Sequence, residues 1–173
     1  MVNFTSNTYQ MKREILTFSN KISKHLSKPD KKFSADMTYG MLASGSCILT
    51  DVVDQLHEDT KKVNSVERLT RHLNNGTSST ALKSYLTTIR KWAPQEPVIH
   101  IDDSDVVKPD GYKFEALGLV RDGSKSTASK TVYVKGYHVT EACVLTKNNH
   151  PVSIFSEIHS SKEKHFTSIN EQI

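Results

Sequence analysis

The chain has 173 residues and a formal net charge of +4, with 36% hydrophobic and 24% charged residues. This length suits one domain or a small domain joined to a second, and the aromatic and branched residues spread along the chain exclude wholesale disorder. No apolar run approaches the ~20 residues of a membrane span and the N-terminus lacks a signal pattern, which predicts a cytoplasmic protein without a membrane partner.

Apolar residues at helical spacing predict helices in the front half of the chain. Residues 8–27 carry one such stripe at steps of three and four, formed by Met11, Ile15, Phe18, Ile22 and Leu26. The segment KPDKK (28–32) is then expected to be a linker. A second helical pattern spans 34–56, and because glycine in a helix is costly, we expect it to break near Gly45.

Two shorter helical patterns complete the front half. One runs from Val63 to Leu73 and ends at the turn-forming Asn74-Asn75-Gly76. The other begins at Ala81 after a cap-rich segment and ends before Pro94. Residues 1–93 are therefore predicted to be a helical domain.

The pattern changes at Pro97, after which β-branched residues dominate. Val98 to Ile101 form a short apolar strand that runs into Asp102, and a long polar stretch follows. Residues 131–146 alternate well enough for one strand, or two with a bend at Gly136. A turn at 148–151 leads to a further strand at 152–158, and a helix is expected to begin in the tail. Residues 94–173 thus predict a strand followed by an antiparallel hairpin, which makes the chain α+β.

The charge is unevenly distributed between these two parts. Residues 1–93 contain 14 Lys and Arg against 8 Asp and Glu, whereas residues 94–173 contain 9 against 11. A basic front is typical of polyanion binding, although ordinary surface charge has the same balance. In the front, 48–56 and 65–73 are spaced like a helix-turn-helix whose second helix presents Arg68, Arg71 and His72 to a groove. A small helical bundle is the alternative interpretation.

The acidic run DDSD at 102–105 follows a predicted strand. Carboxylates held at a strand end suit a hard cation such as Mg²⁺, which prefers oxygen ligands. The same residue types also favour an ordinary turn. Because side chains alternate along a strand, Asp102 and Asp103 cannot both face one cleft. Lys108, close behind, is a candidate contact for a DNA phosphate or a solvated lysine. Arg121 and Asp122 are expected to pair across a turn closed by Gly123.

The rear half resembles the DDE transposases of bacterial insertion sequences. The resemblance rests on IHIDDSDVVKPDGYKFEALGLVRDGSKS (99–126) and KGYHVTEACVLTKNNHPVSIFSEIHSSKEKHFTSIN (135–170). The matching features are an apolar strand ending in Asp-x-Ser, a Lys-Pro, Phe-Glu-x-Leu, Val-Arg-Asp-Gly-Ser, Gly-Tyr-x-Val and a Pro-Val-Ser hairpin. The helical segments 49–53 and 67–73 are similar to the N-terminal part of the same family.

The resemblance implies an RNase-H-like core of which residues 94–173 are the first three strands. Asp102 matches the first metal-binding acid of the family, although Asp103 and Asp105 are its neighbours. The family also needs a second Asp and a Glu on later elements, yet after Asp122 the chain has only four glutamates. We therefore expect a truncated transposase that acts on insertion-sequence ends and target DNA with Mg²⁺ in the complete enzyme and is inactive alone.

Two other interpretations remain open. One is a non-catalytic DNA-binding or dimerising module that inhibits a full-length relative. The other is a helical-plus-hairpin interaction protein unrelated to DNA. A homo-oligomer is a further candidate partner under each of these interpretations. The pattern from Asp102 to Ser124, together with the basic front, favours the first two interpretations.

Overall fold

A computed structural model describes residues 4–76 and 78–168, with side chains described from residue 8 onward. The chain divides into two compact units, Met1–Lys91 and Trp92–Ile173. We call them the helical unit and the sheet unit. The helical unit contains the helices α1 Phe4–Ile22, α2 Lys28–Ser44, α3 Leu49–Leu56, α4 Lys62–Asn74 and α5 Ser79–Ile89. The sheet unit contains the strands β1 Ile99–Val107, β2 Gly118–Arg121, β3 Tyr133–Leu145 and β4 Pro151–His159.

The start of α2 corrects the expectation of a linker at 28–32. Ser27 is the N-cap, and its side chain accepts a hydrogen bond from the backbone N–H of Asp30. Pro29 lies in the first turn, where its fixed φ suits a helix and its missing N–H costs nothing. The negative charge of Asp30 further favours this end of the helix. Pro29 therefore begins a helix instead of separating two.

The break near Gly45 is confirmed. Gly45 ends α2 with a φ of 65°, a left-handed conformation that glycine adopts without the clash of a Cβ atom. The chain then turns into α3, and α2, α3 and α4 enclose a core of Val52, Val53 and Leu69. Gly40 allows α2 and α3 to approach closely, since a Cβ on it would lie 2.5 Å from Val52 Cγ1.

The sheet unit is one antiparallel sheet in which β3 pairs with all three other strands. The β3–β4 hairpin predicted around 148–151 is confirmed, with Asn149 in the left-handed conformation at the turn. Within the predicted stretch 131–146, Tyr133–Leu145 form a single strand across Gly136. The expected tail helix is absent from 160–168, which form turns, and residues 169–173 lie outside the described part. None of the described helices is long and apolar enough to cross a bilayer.

Gly136 lies where β1 and β2 meet opposite edges of β3. It is the register partner of both Val107 at the end of β1 and Gly118 at the start of β2. A Cβ at this position would lie 2.4 Å from the carbonyl oxygen of Val106 and from Val120 Cγ2. The absence of a side chain therefore lets β1 and β2 both approach β3 closely at this point.

The first strand is longer than the sequence predicts, and a short strand was missed. β1 extends to Val107, so Asp102 lies in the middle of the strand and the prediction that it ends the strand is wrong. The acidic residues remain part of the strand because the backbone of each one pairs with β3. Asp102 pairs with Glu141 at one end of this run, and Asp105 pairs with His138 at the other. β2 arises within the stretch expected to be a loop.

Candidate functional site

The three aspartates of β1 divide between the two faces of the sheet. Asp103 accepts a hydrogen bond from the Thr140 hydroxyl at 2.7 Å, and Asp105 lies 2.6 Å from His138 Nδ1. Thr140 and His138 are the direct cross-strand partners of these two acids. Because side chains alternate along a strand, Asp102 lies on the opposite face, as the sequence predicted.

Asp105 is held from two sides. Its second carboxylate oxygen accepts a hydrogen bond of 3.2 Å from the backbone N–H of Arg121, which belongs to β2. The ring of Phe166 lies nearly parallel to that of His138, with centroids 6.4 Å apart. The contacts with His138 and with the Arg121 N–H join the Asp105 carboxylate to both β3 and β2. His138 and Thr140 were not predicted as partners of these acids. Their spacing of two residues places both on one face of a strand, but it does not identify which acids lie opposite them.

Asp102 is in a different environment from its neighbours. Its carboxylate makes no hydrogen bond or ion pair with any described residue, and it is exposed. Its cross-strand neighbour is Glu141, whose side chain is also exposed and also lacks a described hydrogen-bond or ion-pair partner. Like charges directly opposite each other on antiparallel strands are destabilising. This face of the sheet therefore presents two adjacent carboxylates that are free to bind a cation or a donor.

The described residues do not by themselves fit a complete metal centre. No group of three or more His, Cys, Asp or Glu that could hold a metal ion occurs within the described ranges. Asp102 and Glu141 supply two carboxylates, whereas a two-metal phosphoryl-transfer site needs several to fix ions on both sides of the reacting phosphorus. Of the remaining glutamates, Glu171 lies outside the described residues.

The expected pairing of Arg121 with Asp122 is wrong, because consecutive residues at a strand end point in opposite directions. Asp122 is buried and accepts hydrogen bonds from the hydroxyl and backbone N–H of Ser124, and it forms a 3.2 Å ion pair with Lys125. The hydrogen bond from the Ser124 hydroxyl is the largest of several causes that hold the pKa of Asp122 below its usual value, and contacts with Lys125 act in the same direction. Arg121 is exposed, as is Lys108, so both basic side chains remain available to an anion.

Arg68, a predicted DNA contact on α4, lies in an ion-pair network within the helical unit. Its guanidinium is 2.8 Å from Asp36 on α2 and 3.0 Å from Glu58 in the α3–α4 connection. Lys32 also binds both acids, at 3.0 and 2.6 Å. Only 25% of the Arg68 side chain is exposed. The network joins three segments, which gives Arg68 a structural role whether or not it contacts DNA.

Glu58 is the centre of this network. It receives hydrogen bonds from Lys32, from the Ser65 hydroxyl and from Arg68. The Lys32 hydrogen bond is the largest of several causes that lower the pKa of Glu58 to about 2. The network therefore depends on an ionised Glu58.

The other two candidates on α4 differ in exposure. Arg71 is exposed in the last turn, where a cation is favoured by the helix dipole. His72 is half-buried, and its ring stacks on Phe33 with centroids 5.0 Å apart, while its Nδ1 lies 3.5 Å from Asp30. Arg71 is therefore the candidate on this helix with the freest access to a phosphate.

Comparison of the chain with models of known protein families, with curated proteins and with solved structures finds no match. A function for this protein therefore has to be inferred from its own residues and their geometry.

Proposed function

We propose that this chain carries the DNA-binding front and the first catalytic acid of a DDE-type transposase. The observation that carries the proposal is the position of Asp102. It is the one aspartate of β1 that the sheet does not engage, and it lies beside Glu141 on an open face. A protein gains no stability from two such carboxylates, so their placement is better explained by a ligand that they bind.

The strand arrangement supports the same proposal. The first long strand carries the acid, and it pairs antiparallel with the first strand of a hairpin. This is the order that the resemblance implies for the beginning of an RNase-H-like core. The motifs of the resemblance also fall in one region, since Val-Arg-Asp-Gly-Ser begins in β2 and Gly-Tyr-x-Val lies in β3, and these two strands pair.

The proposed reaction is hydrolysis of a phosphodiester at an insertion-sequence end, followed by attack of the freed 3′-hydroxyl on target DNA. In the complete enzyme, Mg²⁺ would supply charge stabilisation, with Asp102 as one ligand. The described residues do not complete that site, so we assign no catalytic step to this chain alone. Its own contribution is to hold DNA through exposed basic residues and to fix Asp102 on a rigid strand.

The DNA-binding part is tested by titrating the purified chain with duplex DNA at several salt concentrations. We expect binding that weakens steeply with salt, because each phosphate contact releases a counterion. Arg71→Ala should weaken binding to all sequences and reduce the slope of log affinity against log salt by about one. Asn64→Ala, an exposed change on the same helix that leaves the net charge unaltered, is the control. A chain that does not bind duplex at low salt contradicts the proposal.

The catalytic part is tested by a strand-cleavage assay with Mg²⁺ or Mn²⁺. This chain alone should not cleave DNA, because one matched acid cannot position two ions. In a longer reading frame that contains this chain, cleavage should appear and should be abolished by Asp102→Asn. Cleavage by the longer protein that survives this substitution would show that Asp102 is not the catalytic acid.

A second candidate function is a non-catalytic DNA-binding or dimerising module that inhibits a full-length relative. It is favoured by the lack of a metal-competent group of side chains in the described ranges. It predicts that adding this chain lowers transposition by the relative and that Asp102→Asn leaves this inhibition unchanged. Sedimentation of the purified chain would show whether it forms homo-oligomers.

A further inference from the structure

One face of the β2–β3 ladder and the loop before it carry large aromatic and apolar side chains interleaved with basic ones. We call this the aromatic–basic surface and define it by Tyr112, Phe114, Leu119, Arg121, Tyr133 and Lys135. It lies entirely within the sheet unit.

Strand pairing places these residues together. Leu119 is the register partner of Lys135, and Arg121 is the partner of Tyr133, so all four side chains lie on one face. The alternate residue Val120 is buried, which confirms that its two neighbours point outward.

The preceding loop extends the same surface. The ammonium group of Lys135 lies 5.3 Å from the centre of the Tyr112 ring, within the range of a cation–π contact. Phe114 meets Tyr137 of β3 edge-to-face, with ring centroids 6.5 Å apart. The Tyr137 hydroxyl also donates to the carbonyl of Glu115, which ties the loop to the strand.

The large apolar and aromatic side chains of this surface are unusually exposed. Tyr112 is 81% exposed, Tyr133 64% and Leu119 61%. Single exposed apolar residues are common, but a group of them on one face marks a binding surface. Two of the rings carry a hydroxyl and one is paired with a lysine, so the surface suits a ligand with both flat apolar and charged parts.

The charge of this region differs from that of its surroundings. Residues 108–135 contain six Lys and Arg against three Asp and Glu, whereas the rest of 94–173 contains three against eight. The aromatic residues therefore lie in the basic part of an otherwise acidic unit. A covering protein segment would have to bury these lysines, which is costly without carboxylate partners. A bound polyanion would instead pair these lysines with its phosphates.

We propose that the aromatic–basic surface binds single-stranded DNA, with bases stacked on Tyr112 and Tyr133 and phosphates near Lys135 and Arg121. Proteins that bind single strands combine stacking side chains with a basic track in this way. The inference rests on the proposed function, since a strand cut next to Asp102 must be held with its phosphates accessible. Lys135 and Glu141 lie on the same face of β3, six residues or roughly 20 Å apart, so a strand on this surface leads toward Asp102.

The test is a titration of the full chain with a labelled single-stranded DNA of about 20 nucleotides and with the matching duplex. The double variant Tyr112→Ala with Tyr133→Ala should weaken single-strand binding about tenfold or more, because both stacking rings are lost. Duplex binding should change by less than about twofold, since stacking requires unpaired bases. Tyr112→Phe with Tyr133→Phe keeps both rings and should retain single-strand binding.

Phe155→Ala is the matched control. Phe155 is 44% exposed and pairs with Ala142, which places it on the opposite face of the same sheet. An equal loss of single-strand binding in this control, or no loss in the double alanine variant, overturns the inference. In either case, duplex binding that still depends on Arg71 leaves the proposed function standing.

Three further outcomes also count against the inference. Failure to bind either form of DNA would overturn both the inference and the proposed function. Tighter binding of RNA than of DNA with the same sequence would assign the surface to a different nucleic acid. Self-association of the chain that is lost in the double alanine variant would show that a second copy covers the surface.

Discussion

The helical unit and the sheet unit use their charged side chains in opposite ways. In the helical unit, Arg68 bridges Asp36 and Glu58, so the charges hold three segments together. In the sheet unit, Asp102 and Glu141 face each other without a described partner. The first arrangement stabilises a fold, whereas the second costs stability. The comparison therefore shows that the central charges of the helical unit stabilise its fold, whereas two acids of the sheet unit have no described side-chain partner.

The largest expected effect is that of Leu69→Ala, which should lower the free energy of unfolding of the helical unit by about 2–5 kcal/mol. Leu69 is fully buried on α4 in the core with Val52, so the truncation leaves a cavity. Denaturation followed by the helical circular dichroism signal measures this loss, with the exposed Leu82→Ala as control. Hydrogen exchange of the β1 amides should stay unchanged. Equal loss of their protection would show that the two units unfold together.

Gly136→Ala tests the sheet unit in the same manner. It should lower the free energy of unfolding of this unit by about 1–3 kcal/mol. The new methyl group would meet the Val106 carbonyl oxygen and the Val120 side chain, and the backbone atom cannot move without disturbing β1. Hydrogen exchange of β1 and β2 should report the loss while the helices keep their protection. Gly123→Ala is the control, because a Cβ there meets nothing within 4 Å. Unchanged hydrogen-exchange protection of β1 and β2 in Gly136→Ala would contradict the close approach of the strands.

Acid should destabilise the helical unit through Glu58. Its pKa is about 2 in the folded chain and lies near 4.5 when the group is unperturbed, so the folded state favours the ionised form. The ionised Glu58 contributes on the order of 2 kcal/mol to the free energy of unfolding after solvent screening. This contribution is complete above about pH 5 and is lost as the pH falls toward 2. Unfolding measured between pH 7 and about 3 should show this loss in the native chain and much less of it in Glu58→Gln. An equal pH dependence in both would exclude Glu58 as the cause.

The smallest expected effects are those of substituting the acids of β1, and they differ in sign between Asp102 and Asp105. Asp102→Asn should stabilise the sheet unit by about 0.2–1 kcal/mol, because it removes the repulsion from Glu141. Asp105→Asn should instead destabilise it, because it weakens the charged hydrogen bond to His138. The rate of hydrogen exchange of the sheet amides under increasing denaturant measures the change in stability for both variants. A destabilising Asp102→Asn would mean that this carboxylate already has a favourable partner.

The period of the apolar residues was sufficient to predict that the front half is helical and that a hairpin follows. It did not predict the bounds of the helices, since α1 ends at Ile22 although the predicted stripe runs to Leu26. The stripe from Met11 onward, the break at Gly45 and the turn at Asn149 depend on neighbours within a few residues, so local sequence contains the information. Pro29 shows the limit of such reasoning, because the same residue ends one helix pattern and begins the next. Only the hydrogen bond from Asp30 to Ser27 distinguishes the two roles.

Local sequence alone determined that the chain is helical first and then β, and that Asp102 and Asp103 face opposite ways. Which acid remains free was decided by the tertiary structure, because the hydrogen bonds to Asp103 and Asp105 come from Thr140 and His138, more than thirty residues away. The same applies to Arg68, whose partner Asp36 lies on another helix. Pairing between distant residues depends on strand register and helix packing, and those are set by the whole core and not by any single segment.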